Sequence, residues 1–135
     1  MTGLLIAIIG VVLTGMLLPF FSKVKFGRPS QTQLDIAGLV FALKNYELVY
    51  GVYPTGESSN IVSMLAGDNP QKTVFLNFRR TMKNPNEMVD PCETPYQIKF
   101  LQQTNFIIRS AGKDKIFGDA DDIIFNSVSN DFVKP

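Results

Sequence analysis

The chain of 135 residues has no histidine and a single cysteine, Cys92. Without histidine it loses the commonest general base and the commonest transition-metal ligand. A lone thiol forms neither an internal disulfide nor a cysteine-rich zinc site, and its default place is that of a small buried hydrophobe. Charge of one sign is lacking too. The formal net charge is +1, which offers no general attraction to nucleic acid or to strongly charged substrates. For catalysis that leaves carboxylates with no paired nucleophile, so no enzyme is expected.

The most informative absence is local. Residues 1–22 carry no ionisable side chain, and "GLLIAIIGVVLTGMLLPFF" is almost wholly apolar. As a helix, such a run extends about 28 Å, close to the roughly 30 Å hydrocarbon core of a bilayer. A buried core helix would rarely be apolar all round in so small a protein. A cleaved secretory signal would carry a basic n-region and an A-x-A site, and neither is present. A membrane anchor over residues 1–25 is therefore expected, followed by a globular domain over 26–135. Gly10, Thr14 and Gly15 would let a neighbouring helix approach closely. Lys23, Lys25 and Arg28 follow the span, and the positive-inside rule alone would put the domain in the cytoplasm.

Beyond the anchor, Gly27 and Pro29 predict a kink or break near 27–30. Thr32 with Asp35 approximates a capping box for the next helix. "QLDIAGLVFALKNYELVYG" (33–51) then reads as amphipathic. Ile36, Val40, Leu43, Tyr46 and Tyr50 form one stripe that Leu39 and Phe41 widen, with Asp35, Lys44 and Glu47 away from its centre. Gly51 ends it. "IVSMLAG" is a short helix candidate, "TVFLNF" a short strand or helical turn, and "KNPNEMVDPCETP" a loop. "YQIKFL" and "NFIIRS", joined by "QQTN", predict a hairpin, and "IIFNSVS" a third strand.

The order of elements and four stretches resemble the type IV pilin superfamily, most closely the major pseudopilins of type II secretion systems. "IAIIGVVLTGMLLPFFSKVK" is similar to the pilin anchor, with Pro19 at its kink. "DIAGLVFALKNYELVYGVYPTG" resembles the second helical half and its tyrosine–proline–threonine turn. "DPCETPYQI" resembles an aspartate–proline–tryptophan–glycine–x–proline–tyrosine segment, and "SAGKDKIFGDADDI" a C-terminal calcium loop. Departures are specific. The family's fifth-position glutamate would fall near Thr2, Cys92 stands for its tryptophan, and Glu93 and Lys115 stand for glycines.

The resemblance implies an α+β, pilin-like fold. A long N-terminal helix, half in the membrane and half amphipathic, would pack on a small antiparallel sheet with a calcium loop near the C-terminus. It implies a structural subunit of the type II secretion pseudopilus, a piston-like filament that drives protein export across the outer membrane. The partners would be further copies of the chain in a helical homopolymer, minor pseudopilins, the inner-membrane assembly platform with its ATPase, and the lipid bilayer, with no nucleic acid. The family's basic leader would reverse the charge argument, placing the domain in the periplasm on a single inner-membrane span. Alternatives are a type IV pilus pilin or minor pilin, or a membrane-anchored calcium-dependent binding module.

The acidic stretch 110–123 is the candidate site. Asp119, Asp121 and Asp122 supply three carboxylates within four residues, and Asp114 a fourth from five residues upstream. Calcium takes six to eight oxygens, whereas crowded aspartates without a cation repel. The spacing is not that of an EF-hand. By spacing alone a solvated turn and a cation site both stay open, and Lys113 and Lys115 partly neutralise the charge. The resemblance favours a structural calcium held by Asp114, Asp119, Asp121 and Asp122.

Overall fold

The structure, a computed structural model, describes residues 30–77, 82–84 and 86–135. The apolar run, its expected kink and the boundary at residues 25 and 26 lie outside them. Among the described residues no helix is long and apolar enough to cross a membrane.

Helix α1 (Gln31–Tyr50) starts on a capping box two residues earlier than expected. Ser30 Oγ accepts from the Gln33 backbone N–H at 3.2 Å, and Gln33 Oε1 accepts from the Ser30 N–H at 2.9 Å. Glutamine is the longer side chain and reaches back to the cap, which is why the box forms here and not at Thr32 and Asp35. Both of those residues are buried instead. At the other end Gly51 takes φ +72° and donates to Glu47 O at 2.7 Å, as the sequence predicts. Ile36, Leu39, Val40, Leu43 and Tyr46 point into the core, but Phe41 is 69% exposed and does not belong to that stripe.

Helix α2 (Ser58–Leu65) confirms the short helix and buries Ile61, Val62 and Leu65. Residues 73–77 of "TVFLNF" form neither strand nor helix. The Phe75 and Leu76 amides both donate to Leu65 O, at 2.8 and 3.0 Å, fastening this segment to the end of α2. The stretch expected to be loop holds a small ladder instead, in which β1 (Met82–Asn84) pairs antiparallel with β2 (Glu87–Met88). Asn–Pro pairs mark turns, and a turn between two short extended pieces makes a hairpin.

The main sheet is an antiparallel meander of β3 (Gln97–Phe100), β4 (Phe106–Ser110), β5 (Ile123–Asn126) and β6 (Asp131–Val133), in that spatial order. The hairpin and third strand appear where the sequence places them, and β6 is an addition. Register aligns Ile98, Ile108, Phe125 and Phe132 in one row across the four strands. Side chains alternate faces along a strand, so a shift of one residue would turn this row to solvent. Helix α1 lies over β4 and β5 while α2 lies over β2 and β3, which sandwiches the core between helices and sheet.

Strand β3 is an edge strand, and its outer backbone groups at Ile98 are nonetheless engaged, with Tyr96 just ahead of the strand held as well. Ser58 Oγ accepts from Ile98 N–H at 2.9 Å and donates to Ile98 O at 3.4 Å, and Tyr96 N–H donates to Met88 O at 3.0 Å.

Candidate functional site

The acidic loop, 111–122, connects β4 to β5 and is held at both ends by buried residues, Ala111 and Asp122. Gly112 has φ +69°, and a Cβ there would lie 2.3 Å from Asp121 O and 2.5 Å from Asp121 Oδ2. No other residue lets the two arms of the loop approach so closely. Asp121 Oδ2 accepts from the backbone N–H groups of Lys113 and Asp114, the second at 3.2 Å. Asp114 Oδ1 accepts from Ile116 N–H at 2.9 Å, and Asp119 Oδ1 accepts from Asp121 N–H at 2.9 Å. These three aspartates are thus structural caps of their own loop as well as carboxylates.

Asp122 differs. Its side chain is fully buried, Oδ2 accepts from Gly118 N–H at 2.8 Å, and Arg109 Nε lies 3.6 Å away. Its second oxygen, Oδ1, is buried with no hydrogen-bond donor. Leaving a charged oxygen so buried is costly, and most such groups have a partner. The structure brings the Asp121 carboxylate to the backbone of Lys113 and Asp114 and the Asp119 carboxylate to the backbone of Asp121, with Asp122 at the loop's base. Among the described residues, no group of three or more acidic or cysteine side chains converges as a metal-holding cluster. The donor set still suits a hard cation: carboxylate oxygens, one of them orphaned, beside backbone turned sharply at Gly112 and Gly118.

Sequence reasoning missed a second buried polar system, in "DPCETPY". Asp90 Oδ1 accepts from the N–H groups of Cys92 and Thr94, both at 2.9 Å, and Asp90 Oδ2 accepts from Ser110 Oγ at 2.7 Å. That pins the segment to the last residue of β4, directly before the acidic loop. Tyr96 OH then donates to Asp35 Oδ2 at 3.0 Å, and Gln31 Nε2 donates to Asp35 Oδ1 at 2.8 Å. Burial foremost, then the Asp35 charge, pushes the Tyr96 phenol far above its ordinary range. The available signal was an aspartate two and four residues ahead of free amides, the pattern of an Asx turn. Cys92 is half-buried on this turn, not in the core. Glu93, on the same turn, takes φ +65°, and Lys115, within the acidic loop, takes φ +64°.

Comparison of the chain with protein-family models, with curated proteins and with solved structures gives no match.

Proposed function

We propose that the chain is a structural subunit of a type II secretion pseudopilus, anchored in the inner membrane with residues 26–135 in the periplasm. The observation that carries this reading concerns backbone at two departures from the family pattern. Glu93 and Lys115 are the positions where the pseudopilin segments have glycine, and both adopt the left-handed conformation that favours glycine. A chance likeness of short motifs would have no reason to align with backbone in this way twice. The order of elements supports the reading as well. The capped helix α1 starts at residue 31, nine residues after the charge-free run, and packs on a meander whose β4–β5 connection is the acidic loop.

In this reading the apolar run is stored in the bilayer until an assembly platform and its ATPase extract it. Leaving lipid costs little when the helix is buried again against other copies. The partners are those copies and minor pseudopilins. Calcium, held by Asp122 with Asp114, Asp119 and Asp121, fixes the shape of the loop for contact with the next subunit. It gives Asp122 Oδ1 the partner that no hydrogen-bond donor supplies. A type IV pilin would share anchor and fold, and differs only in the machinery it joins.

The test is expression of the full chain with the secretion machinery, followed by membrane fractionation and electron microscopy of filaments. Ile9→Asp places a charge at the centre of the span, at a cost of about 2.5–3.5 kcal/mol on insertion scales. Filaments should disappear while residues 26–135 fold normally. Filaments that persist, or full-length protein in the cytosol without detergent, would sink the reading.

A further inference from the structure

A cleft of about 980 Å³ opens where the loop after α1 meets the edge of β3 and the β3–β4 turn. That volume is at the top of the roughly 300–1,000 Å³ of small-molecule sites. The register decides which backbone groups the edge offers. Leu101 N–H donates to Asn105 O, while Phe106 turns its own N–H and C=O to Ser127. Hydrogen-bonded pairs alternate along an antiparallel ladder, so Ile98 and Phe100 both turn their N–H and C=O outward, away from β4. Ser58 occupies the pair at Ile98. The pair at Phe100 is turned to the same side, and Phe100 lines the cleft. We propose that this cleft binds a neutral oligosaccharide.

The lining selects the ligand by its chemistry. Tyr53 is half-buried in the wall, and its ring is fixed by Phe100 at 5.5 Å and Phe106 at 5.6 Å between centroids. The Glu47 carboxylate stands beside its phenol. A fixed aromatic ring with a polar edge offers a platform for the C–H face of a pyranose, whose hydroxyls then meet the polar side. Gln102, Gln103, Thr55 and Thr104 bring exposed amides and hydroxyls to the same cleft. Such groups both donate and accept, as sugar hydroxyls do, and the outward N–H and C=O of Phe100 add one of each. Val52 and Leu101, 63% and 49% exposed, supply apolar surface for the remaining C–H groups.

Other occupants fit less well. An anion would meet Glu47 and Glu57. A cation would meet Lys99 and leave the neutral amides and hydroxyls unused. An extended peptide would add a strand to the edge, but Ser58 leaves it only the Phe100 pair. A wholly apolar ligand would bury the polar lining without partners.

The test is calorimetric titration of the full chain, in a detergent without a sugar headgroup. The probes are chitotriose, cellotriose and maltotriose, with spermidine for comparison. At least one trisaccharide should bind saturably and more tightly than spermidine. Tyr53→Ala should weaken that binding about tenfold, whereas Tyr53→Phe, which keeps the ring, should retain most of it. Because Tyr53 also packs on Phe100 and Phe106, a second variant is needed that leaves the core alone. Gln103→Ala with Thr104→Ala removes two exposed side chains of the cleft and should weaken binding several-fold with an unchanged melting curve. Failure of all three trisaccharides to bind, tighter binding of spermidine, or trisaccharide binding unchanged in the Gln103 and Thr104 double variant each overturn the proposal.

Discussion

Tyr96 OH donates to Asp35 Oδ2 at 3.0 Å, joining the start of β3 to the first turns of a helix 61 residues away in sequence. Both residues are almost completely buried. Removing one partner leaves the other desolvated without its bond, which costs about 1–3 kcal/mol. Tyr96→Phe should therefore lower stability in urea unfolding by that amount. Asp35→Asn, which keeps an acceptor, should cost less. An unchanged midpoint for Tyr96→Phe would show the bond to be unimportant.

The same phenol makes stability depend on alkaline pH. Its folded pKa is raised above the ordinary 10.0, so the folded chain keeps a proton that the unfolded chain releases. The unfolded state binds fewer protons above that point, and stability falls as pH rises. It should be level below about pH 9 and decline through pH 10 and beyond. Tyr96→Phe should flatten the decline without removing it, because burial raises the Tyr46 and Tyr53 phenols in the same direction. Unfolding free energy measured against pH in the two chains checks the slope.

Calcium should raise the melting temperature of residues 26–135, and chelator should reverse it. Binding to the native state alone contributes about 2.7 kcal/mol at a hundredfold excess over Kd. Asp119→Asn with Asp121→Asn is the informative variant, because asparagine retains an oxygen for the turn amides while losing charge. It should abolish the calcium response at little cost in its absence. Alanine would also release the amides of Lys113, Asp114 and Asp121, and should destabilise the loop with or without metal. A melting temperature indifferent to calcium would leave the loop as a self-capped turn.

Glu93→Gly and Lys115→Gly should each stabilise the fold. A left-handed residue other than glycine costs roughly 1–2 kcal/mol, and glycine's extra chain entropy offsets roughly 0.5–1 of it. The expected net gain is about 0.5–1 kcal/mol per site, read from thermal unfolding. A loss at either position would mean that the side chain makes a compensating contact.

What the sequence made legible follows from how local each signal is. The end of α1 at Gly51, the short α2 and the β3–β4 hairpin rest on neighbouring residues, and they appear where expected. The cap, the burial of Asp35 and the exposure of Phe41 do not. Asp35 reads as a surface residue until Tyr96 is placed against it, and Phe41 reads as core until the sheet is seen to cover the other side of the helix. Within the acidic loop the four aspartates were identified as a group. Sequence spacing could not separate Asp114, Asp119 and Asp121, which keep contact with solvent, from Asp122, which is buried beside Arg109.

The engagement of Ser58 with Ile98 matters beyond this one chain. An open strand edge recruits strands from other molecules, and crowding of identical chains multiplies that hazard. By occupying both the amide and the carbonyl of Ile98, one hydroxyl denies an incoming strand its first pair of ladder bonds. At the opposite margin β6 is only three residues long and begins with exposed Asp131. Both margins of the sheet therefore offer an incoming strand little to pair with, which opposes edge-to-edge fusion when copies are crowded. Ser58→Ala reopens that edge, and slow aggregation of an otherwise folded protein is its expected signature.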